Sequence, residues 1–272
     1  MIAKIKIDKS KSCSTKYPII FIHGTGVRHN DFLNFWGRIP KALTDRGATI
    51  FYARSDAFGT LEANAESIKE YILEVIGDSE KVNLIAHSRG GLEGRYLISK
   101  LGMAEKVASL STISTPHRGS KTLEIFRKFP GFIIHAAAFF VNFYYRIFGD
   151  KKPDFFTFVK QISSSECEKF NAEVIDVPQV YYQSYAMKMK NAFSDILLFF
   201  PYLVLKAVEG DNDGIVAVNS AAWGDFHGVI TGKKNRGVSH VDSVDLRRTD
   251  SSGFDIRKTY IELVERLVSK GL

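Results

Sequence analysis

The sequence predicts an α/β fold, a mostly parallel central sheet flanked by helices, carrying an apolar helical cap. Three observations point to it. Short apolar, strand-like runs alternate with longer amphipathic stretches, the pattern of parallel strands joined by covering helices. The chain has 272 residues, 45% apolar and 25% charged, which is ordinary for a folded globular chain. Two aromatic-rich stretches, 131–148 and 193–208, break the alternation in the middle of the chain. Large α/β folds often fill this length as one unit, so a single domain over 1–272 is expected, with a cap or lid insertion at about 121–208.

Tyr17-Pro-Ile-Ile-Phe-Ile-His23 reads as a buried strand ending in Gly24-Thr-Gly26. The spacing of Trp36, Ile39 and Leu43 predicts a helix over 35–46, closed by Gly47. A strand at 48–53 and a helix at 63–76 follow. Lys81-Val-Asn-Leu-Ile-Ala-His87 is another short buried strand, and a helix should begin just after Ser88 and run towards Lys100. Residues 107–114 and 179–185 read as further strands and 258–268 as a final covering helix. An apolar run of about 18 residues raises the question of a membrane span. His135, Asn142 and Arg146 interrupt the first aromatic stretch, and Ser194, Asp195, Pro201 and Lys206 the second. No transmembrane segment is expected from them; a cap over an active site is.

The net charge of +7 is spread along the chain, apart from short clusters such as Lys4, Lys6, Lys9, Lys11 and Lys233, Lys234, Arg236. No nucleic-acid motif accompanies the charge, so no nucleic-acid partner is expected. Cys13 and Cys167 make no disulfide framework, and two free thiols are the expectation. The basic N-terminus lacks a following apolar core, so no signal peptide is read; a cytoplasmic address or export by a signal-free route is expected.

Ala86-His-Ser88-Arg-Gly90, followed by Gly91, has the form of a nucleophile elbow with Ala in place of the first Gly. Small residues around the Ser let a strand turn sharply into a helix, and the Arg89 amide at the helix start faces a developing oxyanion. A second oxyanion amide belongs in the loop after an early strand, where Gly24-Thr25-Gly26 places Thr25. The Ser hydroxyl needs a His base, oriented in turn by a carboxylate. His117 follows a strand directly and suits a local hydrogen bond, and His135 lies inside the apolar run. His227 and His240 both lie late enough; His240 occupies the polar loop Gly237-Val-Ser-His-Val-Asp242 before the final helix, where the base belongs. For the acid, Asp211 and Asp213 of Gly210-Asp-Asn-Asp-Gly214 are both candidates.

Taken together these segments resemble the bacterial lipases of the α/β-hydrolase superfamily. The resemblance rests on His23-Gly24, Ala86-His-Ser88-x-Gly-Gly91, Ser114-Thr-Pro-His117-x-Gly-Ser120, Asn212-Asp213-Gly-Ile-Val216 and Ser239-His240-x-Asp242, in that order. It implies Ser88 as nucleophile, His240 as base, Asp213 rather than Asp211 as acid, and Thr25 and Arg89 as oxyanion amides. Many such lipases hold a structural calcium near the base loop. Asp242 matches one ligand, but Leu246 and Arg247 stand where further oxygens are needed, so no cofactor is the working expectation. A zinc site of the kind found in some relatives would have only His29, Asp31 and Asp56 to draw on.

The expected function is serine carboxylic ester hydrolysis, acting as a lipase on acylglycerols or other lipid esters, with interfacial contact to lipid surfaces. An esterase, phospholipase or acyltransferase on the same triad is the alternative within the class. A catalytically silent lipid-binding module is the alternative outside it, and labelling of Ser88 by a fluorophosphonate separates the two.

Overall fold

The computed structural model describes residues 11–26, 34–76, 81–147, 149–232, 235–250 and 253–272. His29, Asp31, Phe148 and the lysines 4, 6, 9, 233 and 234 lie outside them.

The strands are β1 (Ile19–Ile22), β2 (Ile50–Tyr52), β3 (Val82–His87), β4 (Val107–Ile113), β5 (Tyr181–Met187) and β6 (Asp225–Ile230). They form one six-stranded sheet in the order β2-β1-β3-β4-β5-β6, and every pairing is parallel. The helices are α1 (Ile39–Thr44), α2 (Leu61–Ile76), α3 (Gly90–Lys100), α4 (Lys121–Phe126), α5 (Gly131–Ile147), α6 (Phe155–Gln161), α7 (Ser164–Glu173), α8 (Phe199–Val208), α9 (Val218–Ala221) and α10 (Ile256–Ser269).

Strands β1, β3 and β4 are buried along their whole length. Helices cover both faces of a parallel sheet, so its inner strands need apolar residues at every position rather than every second one. Alternate side chains then feed two cores. Ile19, Phe21 and Ile85 pack with Ile39 and Leu43 of α1 and with Tyr260, Leu263 and Leu267 of α10. Ile20, Ile22, Leu84 and Ala86 pack with Ala65, Ile68 and Ile72 of α2 and Leu97 of α3. The i, i+3, i+4 rows of α2 and α10 are what bury those helices.

β6 escaped the sequence reading for a physical reason. It is an edge strand, half exposed, with Gly228 at φ 99° and a register shift opposite Ser184 and Ala186. A strand that buries one edge carries no continuous apolar run.

The two aromatic stretches lie on separate connections, because β5 runs through the middle of 121–208. α4–α7 join β4 to β5; two 3₁₀ turns (Ala192–Ser194 and Ile196–Leu198), α8 and α9 join β5 to β6. The insertions meet where Glu209, just after α8, accepts from Ser120 Oγ at 2.8 Å and Thr122 N at 3.0 Å. A second clasp fixes the end of α5. Asp150 accepts from the amides of Ala57 and Phe58 at 3.0 and 2.8 Å, while Asp56 accepts from those of Lys151 and Lys152 at 2.9 Å each. No helix among the described residues is long and apolar enough to cross a membrane.

Candidate active site

β3 ends at His87 and α3 begins at Gly90, so Ser88 must turn the chain within two peptide units. It does so at φ 55°, in the left-handed region, where an L-residue carries a cost of roughly 1–2 kcal/mol. The Ser88 amide is held by the Ile113 carbonyl at 2.9 Å. The small neighbours are obligatory. A Cβ on Gly24 would sit 2.7 Å from Ser88 Cβ, one on Gly90 2.6 Å from the His23 carbonyl, and one on Gly91 2.2 Å from Thr115 Oγ1. The Ala86 methyl, in the first small position, is fully buried in the core on the α2–α3 side.

The loops after β5 and β6 bring Asp213 and His240 together. His240 Nδ1 and Asp213 Oδ2 are 2.8 Å apart, and both residues are buried. Asp213 Oδ1 accepts from the amides of Ile215 and Val216 at 3.0 and 2.8 Å, so the carboxylate keeps its orientation. The backbones are tied as well, with His240 N donating to Asp213 O at 2.9 Å. Asp211 points elsewhere, into Lys188 at 2.5 Å and Lys206 at 2.6 Å, which leaves Asp213 as the carboxylate on His240.

Ser88 and His240 line one cavity of about 310 Å³, within the range of small-molecule pockets. Thr25 and Arg89 line it too, as does an apolar wall of Phe35, Phe58, Leu123, Phe158, Ile162 and Ile215. Leu123 belongs to α4 and Phe158 to α6, so the first insertion supplies part of the wall. Among the described residues neither the Thr25 nor the Arg89 amide is engaged by a backbone carbonyl outside the regular elements. The Thr25 hydroxyl is likewise buried without a partner among them.

Two residues have roles that sequence reasoning missed. His87 lies against the His240 ring, with centroids 4.4 Å apart, and its Nε2 meets Ser243 Oγ at 2.9 Å. Burial first, then the neighbouring charges of His240 and His23, push His87 well below its ordinary pKa, so it stays neutral. Its position inside the elbow motif was the available signal. The Arg89 side chain is buried as well. It pairs with Glu93 at 3.0 Å, donates to the Gly59 carbonyl at 2.7 Å and lies over the Phe158 ring at 5.3 Å. Burial raises the Glu93 carboxyl, while Arg89 and Asn64 work against that rise. Arg89 thereby links the elbow to the loop before α2 and to α6.

The three other histidines that follow Ser88 have partners away from this pair. His117 meets Thr112 Oγ1 at 3.0 Å and stacks on Trp223. His135 is exposed on α5 against Phe156, and His227 meets the Tyr181 hydroxyl at 3.3 Å on β6. Asp56 is committed to the clasp with Lys151 and Lys152, and Asp242 pairs with Arg236 and Arg247, each at 3.1 Å. Among the described residues no three His, Cys, Asp or Glu side chains cluster as a metal site. Both cysteines are free and buried.

Residues 18–191 match the family model described as palmitoyl protein thioesterase. The chain belongs to this family. It is 25% identical over 264 residues to triacylglycerol lipase 2 of Saccharomyces cerevisiae, which spans 88% of this chain and 74% of the relative. A triacylglycerol lipase of Pseudarthrobacter phenanthrenivorans is 34% identical over 115 residues, covering 40% of this chain and 35% of the relative. Among solved structures, a mature lipase of Bacillus licheniformis superposes with a TM-score of 0.68 at 18% identity, over 92% of each chain. This member of the thioesterase family therefore has the α/β-hydrolase fold, and it is a serine ester hydrolase of the lipase and esterase kind.

Proposed function

We propose that this chain hydrolyses lipid esters with long acyl chains, through an acyl-enzyme on Ser88. One observation carries the reading: Ser88 opens into an apolar cavity walled in part by an insertion whose outer helices present aromatic side chains to solvent. Such a cavity suits an acyl chain, and exposed aromatic faces on α5 and α8 suit contact with a lipid surface. The net charge of +7 favours an anionic surface.

In the proposed cycle Ser88 Oγ attacks the ester carbonyl while His240 Nε2 accepts its proton. Asp213, on Nδ1, holds the ring and stabilises the imidazolium. The amides of Thr25 and Arg89 receive the oxyanion. When the tetrahedral centre collapses, the alcohol departs with the proton held by His240. Water, deprotonated by the same His, then attacks the acyl-Ser88 carbonyl and releases the fatty acid and free Ser88. A long-acyl thioester is the second reading, favoured by the family match, because the acyl half of the substrate is the same.

The test is hydrolysis of p-nitrophenyl esters from acetyl to palmitoyl, beside a palmitoyl thioester, with Ser88→Ala in parallel. Rates that rise with chain length and vanish in the variant support the reading. Cleavage of short esters alone would make it an esterase whose aromatic insertions serve another purpose.

A further inference from the structure

His240 sits in a loop held by a small ionic cluster outside the catalytic set. Arg247 grips Asp195 with two prongs, Nη1 to Oδ2 at 2.7 Å and Nη2 to Oδ1 at 2.8 Å, and its Nη1 also lies 3.1 Å from Asp242 Oδ1. Arg236 reaches Asp242 Oδ2 at 3.1 Å, and its Nε donates to the Ser194 carbonyl. Ser239, the residue before His240, is caught between the two carboxylates. Its hydroxyl donates to Asp195 Oδ2 at 2.8 Å and its amide to Asp242 Oδ2 at 3.2 Å. Asp195 is 1% exposed as a side chain and Asp242 8%. Burial would raise the Asp195 carboxyl, but the bonds from Arg247 and Ser239 outweigh it and hold it below its usual range.

Two buried carboxylates from different loops need a cation between them, since leaving one unpaired is strongly unfavourable. A calcium ion would do this with six to eight oxygens. Here two guanidinium groups face the two carboxylates, so the charges within this cluster are balanced without a divalent ion. The planar fork of Arg matches a carboxylate and adds direction that a spherical ion lacks.

We infer that Arg247, assisted by Arg236, is a built-in cation that takes the place of a structural metal beside the base loop and positions His240. Asp195 starts the 3₁₀ turn at Ile196–Leu198, with Leu197 N bonded to its Oδ1 at 3.2 Å. The same cluster therefore fastens the base loop to the insertion that carries Phe193 and α8. The positioning role rests on the reading of His240 as the base; independence from metal does not.

The experiment uses the full chain. Melting curves and p-nitrophenyl butyrate kinetics are recorded in excess EDTA and in millimolar calcium. Neither addition moves the wild-type melting temperature or kcat. Arg247→Ala loses roughly 10–100-fold in kcat with KM little changed, and the acidic limb of its pH–rate profile shifts. Added guanidinium ion restores part of the rate. Arg247→Lys, which keeps the charge but not the fork, lies between the two and covers the case in which the alanine variant fails to fold. A wild-type melting temperature lowered by EDTA and restored by calcium would overturn the inference. So would wild-type kcat and pH profile in Arg247→Ala, which would leave the cluster a purely structural role. Absence of any ester turnover in the wild type would remove the positioning role along with the proposed function, while the melting curves would still decide metal independence.

Discussion

The sheet and the insertions use the same residue types in opposite ways. Strands β3 and β4 hide every side chain, whereas Phe139, Phe140 and Phe143 of α5 and Phe200 of α8 stand mostly in solvent. Burial on the order of 25 cal/mol per Å² stabilises the first region. The second forgoes much of that gain and leaves a surface ready for contact. Hydrophobicity alone therefore does not separate core from interface; what does is whether a partner element lies opposite. α1, α2, α3 and α10 cover the sheet, whereas on α5 the face bearing Ile134 and Ala138 is buried and the opposite one is exposed.

The largest contrast is expected at the elbow. Ser88→Ala should abolish turnover, a loss on the order of 10⁴-fold or more in kcat, while the melting temperature stays near wild type. Asp213→Asn should cost about 10³–10⁴-fold in kcat, because the amide no longer selects the His240 tautomer. Steady-state kinetics with near-ultraviolet circular dichroism separate these losses from unfolding.

Core and insertion should part clearly under truncation. Leu84→Ala should cost about 2–5 kcal/mol in urea unfolding, because Leu84 is fully buried between the sheet and α2–α3. Phe140→Ala, at a residue 69% exposed, should change stability by no more than about 0.5 kcal/mol. It should instead weaken binding to anionic vesicles and lower the rate on emulsified over dissolved substrate. Equal losses of stability in both variants would show that the exposed face of α5 is packed as tightly as the sheet.

A smaller effect lies in pH. Burial lowers the pKa of both His87 and His117 below the ordinary 6.5, with nearby positive charges adding to it. Below about pH 6.5 the unfolded chain takes up protons that the native sites refuse, so stability falls as pH drops. The slope approaches about 1.4 kcal/mol per pH unit for each group. Chemical denaturation from pH 7.5 to 5 in wild type, His87→Gln and His117→Gln should give the flatter curves in the variants.

Much of this was legible in the chain itself. The buried strands β1, β3 and β4, the helices α2, α3 and α10, and the small residues around Ser88 follow from local patterns within one segment each, whereas Asp213 and His240 were singled out by a resemblance that spans several segments. Small residues flank Ser88 because the turn at φ 55° leaves no room for larger ones. Patterns of this kind depend on neighbours in sequence, which is why they can be read.

Tertiary structure decided the rest. It brought Asp213 onto His240 and gave Asp211 two lysines, set the His87 ring against His240, and turned the Arg89 side chain inward to Glu93. It gave Asp242 to Arg236 and Arg247, and it exposed one aromatic face while burying others. These outcomes depend on which distant groups meet in space and on the charge and desolvation each meeting brings. Composition and spacing along the chain carry no record of either.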